Sequence, residues 1–190
     1  MKPVRAPEEE RYDPPPAAMI FCGFIYVPDL ELAEVLRLME QAWGPVEFIS
    51  KRIPFHSTRY YEQEMGPALS RKFVTFREEV DQEALPRLKW EAMGVEGRYL
   101  DGRGCRRVNI DPGFLLPERL MLATTKPFAH RPYLARGVYA DVTLIYRKKS
   151  YHPLHWTYPD YGTPDAVRMM NNLREHGFLQ KRTVEKDATE

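Results

Sequence analysis

The chain has 190 residues, 43% apolar and 29% charged, with 28 basic against 27 acidic side chains and a formal net charge of +1. That is enough apolar material for one globular domain with its own core, and it leaves no global field to recruit nucleic acid or an anionic membrane. No apolar run reaches the ~18 residues of a membrane span, and Glu8, Glu9 and Glu10 stand where a signal peptide would be basic. The expected compartment is therefore the cytoplasm, with Cys22 and Cys105 reduced, buried on strands, and too far apart in sequence to suggest a thiolate zinc site.

Residues 1–17 are charged and carry the run Pro14-Pro15-Pro16, which predicts a disordered leader. Residues 18–27 (AMIFCGFIYV) are almost continuously apolar, as in a strand covered on both faces. Asp29 then has the chemistry of an N-cap, and Leu32, Val35, Leu36, Met39 and Trp43 follow at helical spacing until Gly44-Pro45. Val46 to Phe55 reads as a strand. Residues 56–70 form a polar-aromatic connection with one helical turn at Tyr60–Met65, where Tyr61 and Glu64 share a face. Arg71 to Val80 reads as a strand. A helix capped by Asp81 follows to about Met93, although Pro86 disfavours its interior.

Cys105 to Ile110 is the next strand. The order to this point, β-α-β-β-α-β, is the ferredoxin-like order. Leu120–Thr125, a turn at Ala135-Arg136-Gly137, the strand Val138–Arg147 and the hairpin partner Tyr151–Trp156 then make an antiparallel meander. Thr163-Pro164-Asp165 opens a last helix with Val167, Met170 and Leu173 on one face, and residues 181–190 read as a frayed tail. The expected fold is thus α+β: one domain over residues 18–180, a ferredoxin-like sandwich extended by the meander and a C-terminal helix.

Several chemistries lack their signature. There is no Gly-rich loop ending in Lys-Ser/Thr, no spaced triple-Gly turn, no Gly-x-Ser-x-Gly elbow, and no His pair at i, i+4. Gly23 stands alone inside its strand. Three stretches carry chemistry against that background. In Arg106-Arg107-Val108-Asn109-Ile110-Asp111-Pro112-Gly113, strand alternation puts Arg107, Asn109 and Asp111 on one face, either a solvated face or a site at a strand end closed by turn residues. Thr124-Thr125-Lys126 with His130-Arg131 suits an anion: Lys as a point charge, Arg as a fork, the hydroxyls as neutral donors. The alternative is a polar loop whose threonines cap its turns. Asp141 sits mid-strand among apolar neighbours, either as the partner of Arg107 or Arg131 or converging with Asp111 on Mg²⁺ or on a proton. Trp156 to Tyr161 offers rings that stack a planar ligand or cover the core.

The strings YYEQEMG (60–66), RRVNIDPGFL (106–115), LATTKPFAHRPYLARGVYADVTLIY (122–146) and WTYPDYGT (156–163) together resemble the bacterial proteins grouped as domain of unknown function 4416. The resemblance runs from about Met19 to Leu173. That family's pattern has Phe-Asp ahead of the Tyr-Tyr-Glu motif, where this chain has Phe55-His56. The resemblance implies that the three stretches belong to one unit, and it implies no activity, cofactor or catalytic residue.

The reading that follows from the residues is a small-molecule site where the Arg107–Asp111 strand meets the Thr124–Arg131 loop. Its ligand is anionic, phosphorylated or nucleotide-like. Arg107, Asn109, Lys126, Arg131 and Tyr158 are the candidate ligand-binding residues, His130 and Asp141 the candidate acid/base pair, and Asp111 the candidate metal ligand, for Mg²⁺. A non-catalytic module for RNA or protein partners is the alternative. Balanced charge and the lack of an aromatic-rich RNA signature argue against nucleic acid.

Overall fold

A computed structural model describes residues 14–179. The expected leader falls largely outside those residues and the expected tail entirely so. Within them, nine strands form one antiparallel sheet with four α-helices. The path through the sheet is β2-β4-β1-β5-β6-β8-β7, with β3 paired to β4 and β9 to β8. No helix is long and apolar enough to cross a membrane among these residues.

Strand β1 (Ala18–Tyr26) is central and buried along its whole length. Its alternate side chains feed two different cores. Ala18, Ile20, Cys22 and Phe24 join the core under helices α1 (Leu32–Trp43) and α3 (Leu85–Glu96), while Met19 and Phe21 join a smaller core under α4 (Pro164–Arg174). Two covered faces explain an apolar run without alternation.

Local details differ from the sequence expectation for identifiable reasons. Helix α1 is capped at Glu31, without a side-chain bond; Asp29 lies two residues earlier and pairs with Arg107 instead. The strand expected over 46–55 is broken into β2 (Val46–Ile49) and β3 (Ile53–Pro54), both paired to β4 (Ser70–Val80). The expected helical turn is α2 (Glu62–Met65). Pro86 is harmless because a 3₁₀ turn, Gln82–Ala84, precedes α3 and leaves the proline in the helix's first turn.

The largest correction concerns β5 (Val108–Leu115), which runs straight through Asp111-Pro112-Gly113 where turn chemistry suggested a strand end. The remaining strands are β6 (Arg119–Thr124), β7 (Tyr133–Ala135), β8 (Val138–Arg147) and β9 (Ser150–Pro153). The β7–β8 turn uses Arg136 and Gly137 at φ 53° and 77°, as a two-residue hairpin requires. Thr163 caps α4 by accepting from the Ala166 N–H.

Candidate functional site

The site begins with a defect in the sheet. β5 pairs with β1 along its full length but with β6 only at Gly113, Phe114 and Leu115. Closer to the start of β5, the ladder groups on the β6 side are met by helix α3. The Ile110 N–H donates to Glu96 Oε1 at 2.6 Å, and the Ile110 carbonyl accepts from Lys89 Nζ at 2.9 Å. Pro112, two residues on and of the same parity, has no N–H to give β6. The two strands therefore separate, and a cavity of about 170 Å³ opens in the split.

Asn109, Asp111, Lys89, Glu96 and Arg106 line its inner part, with Tyr61 beside them. Arg106 is fully engaged: its fork takes both Glu64 oxygens at 2.7 and 2.8 Å, and Nη1 reaches Glu96 at 3.1 Å and Asn109 Oδ1 at 2.9 Å. Those bonds, Glu64 foremost, raise the Arg106 guanidinium above its ordinary value. Burial pushes Glu96 upward, against the lowering pull of Lys89, the Ile110 N–H and Arg106. Asn109 passes the order on, donating from Nδ2 to Asp111 Oδ2 at 2.9 Å.

Arg106's fork holds the Glu64 carboxyl below its usual range. Its folded value lies below its unfolded one, so the unfolded chain takes up that proton first as pH falls. The stability from this pair is present above the unfolded value and is lost as pH falls through the folded one. Urea midpoints followed from neutral to acid pH are expected to drop less steeply for Glu64→Gln than for the wild type. Parallel curves would remove Glu64 from the acid response.

The mouth is built by the loop after β6 together with Tyr60 and Tyr158. Lys126 Nζ donates to Tyr60 Oη at 2.8 Å and lies 4.0 Å from that ring's centre. Arg131 is pinned at three points: Nε to Asp141 Oδ2 at 2.8 Å, Nη1 to the Lys126 carbonyl at 3.1 Å, and Nη2 to Tyr158 Oη at 3.3 Å. Burial lowers the Arg131 guanidinium, but Asp141 and Tyr158 raise it to a net value above normal. His130 is stacked on Trp156, 4.6 Å between centroids at 12°, with Nε2 3.5 Å from Asp141 Oδ2. That nitrogen is buried and has no hydrogen-bond partner among the described residues. Asp141 lines the cavity and His130 does not, so His130 reaches it through Asp141.

The structure thus brings Asn109, Asp111, Lys126, Arg131, Asp141 and Tyr158 to one cavity, with His130 behind it. Arg107 is elsewhere. It ion-pairs with Asp29 at 2.7 Å, and Arg106 takes the inward position. The alternation that grouped Arg107 with Asn109 holds only inside a regular strand, and β5 starts at Val108. No group of three or more His, Cys, Asp or Glu that could hold a metal occurs among the described residues. Asp111 faces Lys89 at 3.7 Å and Arg71 at 3.8 Å, and Asp141 is bonded to Arg131, so cationic side chains already face both carboxylates.

Sequence reasoning missed Lys89, Glu96 and Arg71. The first two sit seven apart on α3 and are buried at 6% and 3% exposure. Arg71, on β4, is 3% exposed. It donates from Nε to Asp160 at 2.7 Å and lies against Phe55, Phe73 and Tyr161. The available signal was Gly23, since a lone glycine inside a strand marks a close approach. A Cβ there would sit 2.4 Å from Tyr161 Oη and 2.7 Å from Arg71 Nη1.

Residues 16–176 match a family model described as Domain of unknown function (DUF4416). No curated protein and no solved structure matches the chain.

Proposed function

The chain belongs to the DUF4416 family, and on its own geometry we propose that it binds a small anionic ligand, phosphorylated or nucleotide-like, in the β5–β6 split. One observation carries the reading. Lys126 and Arg131, brought by a single loop, meet at the mouth of a cavity whose lining holds four cationic side chains (Lys89, Arg106, Lys126, Arg131) against three acidic ones (Glu96, Asp111, Asp141). Arg131 is held rigid by Asp141 and Tyr158, so little ordering cost remains for binding. Lys126 has donors beyond its one bond to Tyr60. Thr124 and Thr125 add neutral donors beside them, and the exposed rings of Tyr60 and Tyr158 give a planar group somewhere to lie.

Asp141 lines the cavity with His130 behind it, 3.5 Å from its carboxylate, and these two are the candidate proton-transfer pair for action on the bound ligand. Mg²⁺ at Asp111 is not part of this reading, because both of its carboxylate oxygens face cations. We also read β2-β4-β1-β5, with α1 and α3 on one face, as a ferredoxin-like unit; the antiparallel pairing of each neighbour in that order supports it.

Pyrophosphate is the simplest probe. It is expected to raise the wild-type melting temperature, because a ligand at 100 times its Kd adds about 2.7 kcal/mol. Lys126→Ala should weaken the affinity at least tenfold, which cuts that stabilisation to about half or less at the same pyrophosphate concentration. Lys149→Ala, in the β8–β9 turn away from the cavity lining, should leave it unchanged. An equal response from all three proteins, or none from the wild type, defeats the reading.

A further inference from the structure

Exposed rings crowd the two cations at the mouth. Of the nine large apolar or aromatic side chains exposed among the described residues, three lie against Lys126 or Arg131. Tyr60 meets Lys126 through both its hydroxyl and its ring. The Tyr158 hydroxyl accepts from Arg131 Nη2. Phe128 is the most exposed of the nine, at 66%, and its ring centre lies 5.9 Å from Arg131 Cζ.

The fold accounts for the tyrosines and not for the phenylalanine. Tyr60 and Tyr158 hold their cations by hydrogen bonds, and the Lys126 ammonium already lies over the Tyr60 ring. Phe128 has no polar side-chain atom to give Arg131, and it belongs to neither apolar core among the described residues. Its ring is nonetheless held in place. The Arg131 N–H donates to the Phe128 carbonyl at 3.0 Å, a turn that ties the ring to the guanidinium. The ring packs on His130, 5.1 Å between centres, and His130 is stacked on Trp156. A backed ring facing water beside two cations is ordered before anything binds, which lowers the cost of binding on it.

What suits this place is a flat π-system joined to an anion. The anion goes to Lys126 and Arg131. A nucleobase presents a π-face to an aromatic ring whatever its identity, whereas a saturated sugar phosphate has nothing to set there. We propose that the ligand is a nucleotide, its phosphate held by Lys126 and Arg131 and its base stacked on Phe128 at the outer edge of the mouth, with Tyr158 as a second ring beside Arg131. This rests on the anionic reading of the mouth and narrows the ligand to a phosphate that carries a base. It is a free nucleotide rather than the end of a strand, because 28 basic against 27 acidic side chains leave no track of cations for further phosphates.

The test compares ligands that differ in the base. Adenosine 5′-monophosphate and ribose 5-phosphate are titrated calorimetrically into the full chain. The nucleotide is expected to bind roughly fivefold tighter or more, the usual effect of one base on one ring. Phe128→Ala should remove that preference, and Phe128→Trp should keep it. Ribose 5-phosphate should bind all three proteins alike, which reports that the variants are folded. A 5′-phosphorylated adenylate tetramer should bind no tighter than the mononucleotide. Equal wild-type affinities for nucleotide and sugar phosphate overturn base recognition and leave the mouth reading standing. A preference that survives Phe128→Ala overturns the place of stacking, and a tighter tetramer overturns the free nucleotide. Binding of none of the probes overturns this inference and the mouth reading together.

Discussion

Arg71→Met is expected to destabilise the protein by about 3–5 kcal/mol, the usual cost of removing one member of a buried ion pair. At roughly 2–4 °C per kcal/mol for a chain of this size, the melting temperature should fall by on the order of 10 °C. The physical reason is what stays behind. Asp160 has 10% side-chain exposure and would lose the guanidinium that binds it through Nε and Nη2. Asp111 would keep only Lys89 nearby among its cations. Burial alone would lower the Arg71 guanidinium, but Tyr161, Asp160 and Asp111 hold it above its ordinary value, so the side chain stays charged and the pair cannot be relieved by deprotonation. The double variant Arg71→Met/Asp160→Leu replaces both charges by apolar groups and should recover most of the loss. A chemical-denaturation cycle measures the coupling directly. A single variant costing under about 1 kcal/mol, or a double variant no better than the single, would show that the pair does not hold this face together.

Gly113→Ala should be the most damaging of the glycine-to-alanine changes at the site. Its new Cβ would lie 2.2 Å from the Met121 carbonyl oxygen and 3.1 Å from Leu122 Cα. These are backbone atoms of the paired strand and cannot rotate away. The β5–β6 ladder has only three residue pairs, and Gly113↔Leu122 is the one next to the split. The expected cost is about 3 kcal/mol, the upper end for overpacking a core, with faster hydrogen exchange at the Phe114 amide. Gly94→Ala supplies the contrast. Gly94 lies within α3 with nothing near its missing Cβ, and alanine there should stabilise by roughly 0.5–1 kcal/mol. If the two substitutions behaved alike, strand closure at Gly113 would not be what sets the edge of the cavity.

Much of the architecture is legible along the chain because it is written in short-range periodicity. The unbroken apolar run of β1, the helical spacing from Leu32 to Trp43 and the Thr163-Pro164 start of α4 each need only a few neighbouring residues. The Thr124–Arg131 loop was legible too, since a cluster of donors within eight residues is local composition. Arg107 was misplaced because alternation cannot say where a strand begins. Asp111-Pro112-Gly113 was misread as a turn because Pro and Gly there serve a different end, ending one ladder and letting another strand approach.

What the sequence determined by itself was the identity of the elements and the chemistry available to each, because rotamers, caps and hydrophobic spacing act over one or two turns of chain. Only the tertiary structure decided that the Lys89 and Glu96 side chains reach from their helix to the Ile110 backbone, and that Arg71, paired with Asp160 89 residues away, closes over Gly23 with Tyr161. The first contacts fill the place where β5 and β6 stop pairing and the second joins segments remote in sequence, and neither leaves a periodic trace in the elements that make it.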